Sequence, residues 1–311
     1  MRLAPFIALA LAAAATGCTD ETGSGTTNTG TGALSCALPA TCDAAEPACA
    51  GLADNAGKTR FGLRVAQLEV KAPALLRTGV IGEILRQDVL PAAPACRLDG
   101  EGTISWLLRF DTAAGTLDFG GASPSSDASG YAFLDGPVNG MRVAPVSYAV
   151  KPDANGRVVV AEGKDVTLPL YLDTSAREVV LVPLRAARVS EAVLSPSQGC
   201  IGVHNADGLR PEDGCLPDAT HPAFLAGGSF AALIALEDAD QVVLPSFAET
   251  LCAYLTGDPA KYAAQREDGV IACRREGTAI AFQGDACTAG GSCGDAVSVS
   301  ADFAASSVPL R

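Results

Sequence analysis

Eleven cysteines and only two histidines set the chemical possibilities of this 311-residue chain. Cys18 stands apart, at the end of an apolar N-terminal run. The other ten, Cys36, Cys42, Cys49, Cys96, Cys200, Cys215, Cys252, Cys273, Cys287 and Cys293, are an even set. In an exported chain an even set reads as disulfides. Zinc sites place two or four residues between paired cysteines. Here the closest pairs, Cys36 to Cys42, Cys42 to Cys49 and Cys287 to Cys293, are spaced more widely. The C-x-x-C of thiol redox enzymes does not occur either. Five structural disulfides are expected, and proximity along the chain favours Cys200–Cys215 and Cys252–Cys273. A bridge closing a loop of about 15 residues contributes roughly 3 kcal/mol in the chain-entropy picture.

His204 and His221 are the two imidazoles available as general bases. The chain has no G-x-S-x-G elbow, and nothing in the sequence pairs either histidine with a nucleophile. Both read as loop residues. Calcium is the best metal candidate, through Asn205, Asp207 and Asp213. An EF-hand loop needs oxygen ligands at alternate positions and a Glu at the twelfth. Counted from Asn205, Leu209 fails at the fifth position and Leu216 at the twelfth. Asp153-Ala154-Asn155-Gly156 fails in the same way at Arg157. Asx-rich turns form without metal, so at most a structural ion is expected. Paired carboxylates for glycoside hydrolysis can lie far apart in sequence and stay open. Sugar sites also want exposed aromatics, and the single Trp, Trp106, alternates with Ile104 and Leu108 as a core residue does. Phosphate-loop and dinucleotide motifs are missing, and no cofactor is expected.

The residues ahead of Cys18 have their own logic. Met1-Arg2 is a short basic start, Leu3 to Ala15 is apolar, and Ala15-Thr16-Gly17-Cys18 closes on small residues. The apolar run is about 13 residues, where a bilayer needs roughly 20. This is the layout of a secretory signal, and its ending resembles the lipobox of bacterial lipoproteins. That resemblance implies loss of residues 1–17 and lipid attachment at Cys18, with a membrane as partner through the lipid. Thr19, rather than Asp, follows Cys18, which in that family points to the outer membrane. Residues 18–35 are Gly/Thr-rich, cannot bury a core and read as a flexible tether. The wider likeness, a lipobox, a tether and a cysteine-stapled body, is to uncharacterised exported lipoproteins.

The remaining chain, 36–311, must position whatever chemistry exists. Composition is 48% hydrophobic and 18% charged, which is globular. The net charge of −13 disfavours nucleic acid and anionic headgroups. Arg60 to Lys71 alternates with a slip in phase, read as a strand with a bulge near Ala66. Thr78 to Val89 carries one apolar helical face and ends before Pro91. From Thr103 the period becomes two: Ile104 to Phe110, a turn at Asp111 to Gly115, and a return from Thr116 to Phe119. Ser123 to Gly130 reads as a polar loop. Further strands are read at Val143–Val150, Val158–Val160, Val166–Leu172, Glu178–Leu184 and Ala186–Leu194. Pro169 places the Val166 strand at a sheet edge or a bulge. The interval of about 196–276 is loop- and helix-rich. Ser246 to Glu249 reads as a capping box, Gly257 as a helix stop and Asp258-Pro259 as a new start. Thr278–Phe282 and Val297–Phe303 alternate as late strands returning to the sheet.

The expected fold is therefore mainly β: an antiparallel β-sandwich or barrel-like body with an inserted small helical, disulfide-bearing region. Two domains split near residue 196 is the alternative. The expected function is a noncatalytic, lipid-anchored envelope domain with an interaction, ligand-binding or structural role, toward an unknown protein or small-molecule partner. The alternative is a secreted hydrolase whose acidic residues converge only in three dimensions.

Overall fold

The computed structural model describes residues 35–311 apart from 39–41, 43–47, 91, 94–95, 98–101, 125–129 and 291–292. The leader 1–17, Cys18, the tether to residue 34, Pro91 and the middle of the Ser123–Gly130 loop lie outside the described residues. So does the side chain of Cys96.

Among the described residues the main sheet has ten strands, eight of which form one antiparallel path. In chain order these are β1 (Arg60–Ala72), β2 (Ser105–Asp111), β3 (Thr116–Ala122), β4 (Val146–Ala149), β5 (Lys164–Tyr171), β6 (Val179–Val193), β7 (Gly228–Ala235) and β8 (Ala296–Ser307). Their spatial order is β5-β6-β7-β8-β1-β2-β3-β4, so strands consecutive in sequence pair everywhere except between β4 and β5, and β8 returns beside β1. This is the connectivity of an up-and-down barrel with one unzipped seam, between β4 and β5. The sheet curls until those edges meet. Lys164 donates to the Ser147 carbonyl across the seam at 2.6 Å, and the Trp106 indole N–H donates to Pro169 at 3.3 Å. Pro169 can stand in β5 because β5 is an edge strand. Gly121 in β3 lets its ring approach, since a Cβ there would overlap it.

Alternation fills the interior. Phe61, Leu63 and Val65 face in, the register of β1 slips at Ala66, and Leu68 and Val70 resume the inward face. Phe61 stacks on Phe110 and Phe119 lies against Phe230. Trp106 is buried among them. Two smaller apolar layers cover the outside of the sheet. One joins Ala66, Phe224 and Ala304; the other joins Leu107, Tyr131 and Val308. Under the outer cover Arg64 is fully buried. Its guanidinium donates to the carbonyls of Val65, Val89, Gly102 and Ile104 and to the Ser105 hydroxyl, so every N–H is used without a carboxylate. Burial lowers its pKa from the ordinary arginine value.

Several boundaries differ from the sequence expectation. Val143–Val150 is two strands, Met141–Val143 and β4, because Pro145 cannot donate to the ladder. Glu178–Leu194 is one strand, β6, with a bulge at Ala186, whose φ is +48°. The expected insertion of about 196–276 is interrupted by β7, which is central in the sheet between β6 and β8. The true insertion on this side is 236–295, a lobe with a four-stranded sheet of very short strands. Its helices are α3 (Leu236–Ala239), α4 (Leu251–Leu255) and α5 (Pro259–Tyr262), preceded in the chain by two helices described with the site below. Ser246 does not cap a helix. Pro245–Phe247 is a 3-10 turn, Ala248 turns left-handed at φ +50°, and Thr250 caps α4 by accepting from the Ala253 N–H. Asp258 caps α5 as expected, accepting from Lys261. Thr278–Phe282 does not rejoin the barrel; Ala279–Ile280 pairs with Arg275–Glu276 as a separate hairpin.

Disulfides join Cys36–Cys215, Cys49–Cys200, Cys252–Cys273 and Cys287–Cys293, with Cα separations of 5.4, 5.5, 5.7 and 4.4 Å. Cys42 is disulfide-bonded too. The expected Cys200–Cys215 pair does not form. Cys200 sits on a short strand against β8, beside the segment that brings in Cys49, while Cys215 lies beyond the Pro211–Asp213 turn. Sequence proximity measures loop entropy alone, and here tertiary packing chooses the partners. No helix among the described residues is long and apolar enough to cross a membrane.

Candidate functional site

The antiparallel path gathers the C-terminal ends of β1, β5 and β7 and the N-terminal ends of β2, β6 and β8 at one mouth of the barrel. Two long connections lie over that mouth. One is the helical link from β1 to β2, here called αA (Ala74–Arg77) and αB (Gly79–Gln87). The other is the 236–295 lobe, linking β7 to β8. Beneath them is a chamber of about 90 Å³. Leu68 and Val70 of β1, Trp106 of β2 and Leu170 of β5 line one side. Val182 and Leu184 of β6, Phe230 and Ile234 of β7, and Val299 and Ala301 of β8 line the other. The roof is Leu76 of αA, Ile81 and Leu85 of αB, and Leu244 and Leu251 of the lobe. Every one of these side chains is apolar or aromatic. Ile81, Leu170, Val182 and Val299 are only half-buried, and so mark its side open to solvent. Deeper in the barrel only about 10 Å³ is free, where Trp106, Phe119, Phe230 and Phe303 fill the axis.

A second space of about 480 Å³ adjoins this chamber, between β1, the αA–αB pair and residues 217–223. The two share Leu68, Val70, Leu76 and Leu85 as walls. The groove also has polar walls, among them Arg77, Glu83, Arg86 and Asp218. Thr220's hydroxyl and N–H, then His221, hold the Asp218 carboxyl well below the usual carboxylate range. Larger hollows near Lys58 and Arg60 and near Lys151 and Asp153 are more open surface depressions.

The sequence candidates fall elsewhere. His221 Nδ1 lies 2.8 Å from Thr220 Oγ1 and 3.1 Å from Asp218. Thr and Asp meet the same ring nitrogen within one turn, whereas a triad needs them on opposite nitrogens. His204 lies edge-on to Phe224, and burial lowers its pKa. The Asn205 backbone carbonyl accepts from the Gly208 and Leu209 N–H groups, and its side-chain amide donates to the Pro222 carbonyl at 2.9 Å. Asp213 pairs with Arg210 at 2.8 Å, and Asp207 is exposed. Among the described residues Asp207 and Asp213 belong to no group of three His, Cys, Asp or Glu side chains within ligand reach; Asp240, Cys252 and Cys273 do. Cys252 and Cys273 are disulfide-bonded there and offer no thiolate. Asp240 is instead a structural hub. It accepts from the Cys273 N–H at 2.9 Å, Thr250 at 3.2 Å, Arg266 at 2.8 Å and Arg275 at 3.2 Å.

The chamber residues carried no individual signal in the sequence. Ile81 and Leu85 read only as a helix face, and Leu170, Val182 and Val299 as strand positions. Their convergence is a property of barrel closure. Comparison with protein-family models, curated proteins and solved structures gave no match for this chain.

Proposed function

We propose that this protein is an exported, lipid-anchored envelope domain that binds a small apolar ligand in the mouth of its barrel. The observation that carries the binding part is the chamber under αB and the lobe. A space walled wholly by apolar groups gives water no hydrogen-bond partners, so hydrocarbon fills it more favourably than water does. Barrel mouths are recurrent places for ligand sites, an eight-strand barrel is wide enough for filled side chains or one small ligand, and about 90 Å³ suits a ligand smaller than benzene. The anchor rests on the lipobox-like end at Cys18 and the disulfide-rich body, which suits an oxidising compartment.

Two measurements test the two parts. Full-length chain should bind xenon or cyclopropane saturably, and Ile81→Trp, which fills the opening, should abolish binding with the fold intact. Equal binding by the wild type and Ile81→Trp would refute the chamber as the site. Cys18→Ser should lose lipid labelling and leave an unprocessed or soluble form; a processed mass that still partitions into membranes would refute the anchor.

A further inference from the structure

Of the eight large apolar side chains that are exposed among the described residues, four lie at the end of the barrel opposite the mouth: Val159, Val193, Val203 and Leu225. Val193 closes β6, whose other end belongs to the mouth. Arg157 is its cross-strand partner, and Val159 points outward between the buried Val158 and Val160. Val203 follows the short Cys200–Ile201 strand, which lies along the last residues of β8. Val203 and Leu225 are direct cross-strand partners, so their side chains share one face. Val193 and Val203 line the same open depression, and the Val193 N–H donates to Gly227, two residues past Leu225. These are neighbours, and contiguous apolar surface marks an interaction site where scattered exposed residues do not. Glu191 and Asp153, which flank the patch, are compensated. Glu191 pairs with Arg157 at 3.0 Å, and Asp153 accepts from the Asn155 and Arg157 N–H groups.

We propose that this end of the barrel docks on the neutral lipid surface that holds the Cys18 anchor, so that the mouth opens away from the membrane. The inference rests on the lipid-anchor reading above. What selects a membrane as the occupant is where the chain enters the body. Cys36 follows Cys18 by 18 residues, and a Gly-rich coil of about that length spans roughly 20–25 Å. The entering chain is fastened to the segment that bears Val203. Cys36 bridges to Cys215, Cys49 bridges to Cys200, and the Ala48 carbonyl accepts from the His204 N–H at 2.8 Å. Anchor entry and apolar patch therefore share one segment. An acyl anchor gains hold from a second contact with the bilayer. With a net charge of −13 the chain is repelled by anionic headgroups, so that contact is with neutral ones and is made by apolar side chains.

The test uses the processed chain in phosphatidylcholine vesicles that include a phosphatidylcholine with a diazirine on its acyl chain. After photolysis, lipid adducts are mapped to peptides by mass. Peptides with Val193, Val203 and Leu225 should carry adducts. Met141, in the β3–β4 connection at the mouth end, is exposed to 40% against 43% for Val203, and its peptide should stay unlabelled. Val203→Glu combined with Leu225→Glu should lower labelling of the patch about fivefold or more, with residue 18 still acylated and the melting temperature unchanged. If that variant does not fold, the wild-type map alone decides. Labelling that misses the patch, or is equal at Met141, overturns the docking and leaves the anchor standing. A residue 18 without acyl mass removes the anchor, and the inference with it. A wild type that is dimeric and a double variant that is monomeric, with no adducts on the patch, would assign it to a second copy of the chain and overturn the membrane assignment.

Discussion

The barrel and the 236–295 lobe are held by different physics. Barrel strands are long, with 15 residues in β6 and 12 in β8, and they share a continuous apolar interior. Their ladders satisfy the backbone and their inward faces supply the hydrophobic term. The lobe's elements run two to five residues, too short to be stable alone. There the Cys252–Cys273 bridge and the buried Asp240, gripping Arg266 and Arg275, replace extended pairing. The lesson is that this fold builds its roof by cross-linking and its walls by burial. The two meet at the chamber, where Leu244 and Leu251 of the lobe face the barrel strands.

Removing residues 296–311 should break the barrel outright. β8 pairs with both β7 and β1, so its loss opens the path at its middle and exposes the partners of Val297, Ala301 and Phe303. Burial of each larger side chain is worth roughly 1.5–3 kcal/mol. Circular dichroism and melting should show an unfolded chain, and a retained transition would mean that burial along β8 does not hold the walls. Next in size, Asp240→Ala should cost about 2–4 kcal/mol. That is the cost of a broken buried pair, reduced because its arginines are a third exposed. Native-state hydrogen exchange should show the lobe opening while β1 and β8 stay protected; uniform loss across both would erase the distinction. Replacing Cys252 and Cys273 by Ser should cost roughly 3 kcal/mol, again confined to the lobe. The smallest effect belongs to the barrel. The buried Tyr148 hydroxyl donates to the Ala187 carbonyl at 2.5 Å, and burial pushes its pKa up to about 12. A phenol raised above its unfolded value of about 10 contributes stability that is full below that value and fades as pH rises toward 12. Tyr148→Phe should cost about 1 kcal/mol near neutrality and flatten that alkaline loss in a urea-melt series; an unaltered pH profile would point to another group.

Where side chains alternate against polar neighbours, the fold was legible. The β2–β3 hairpin, the Ala66 bulge and β8 all follow from period two. β7 was missed because Phe230, Ala232 and Ile234 alternate with Ala231 and Leu233, which leaves little polar contrast between faces. β6 was read as two strands, Glu178–Leu184 and Ala186–Leu194, while in three dimensions Asp165 accepts from the Ala186 N–H and holds the bulge within one strand. Ser246 to Glu249 satisfies the capping pattern by composition, yet Pro245 and the left-handed Ala248 take the backbone elsewhere. Of the site, only the helix face with Ile81 and Leu85 was readable.

The Cys36–Cys215 and Cys49–Cys200 bridges also determine how the body responds to tension. A pull on the N-terminal end enters at Cys36 and crosses at once, through covalent bonds, to the 199–215 segment. The short strand at Cys200 is in turn laid along β8 through Ser306 and Ala305. Load is therefore spread over the middle of the sheet instead of peeling β1 from its first residue. A body loaded at Cys36 in this way behaves as a riveted plate, in which the first points to take force are cross-links and not a strand end.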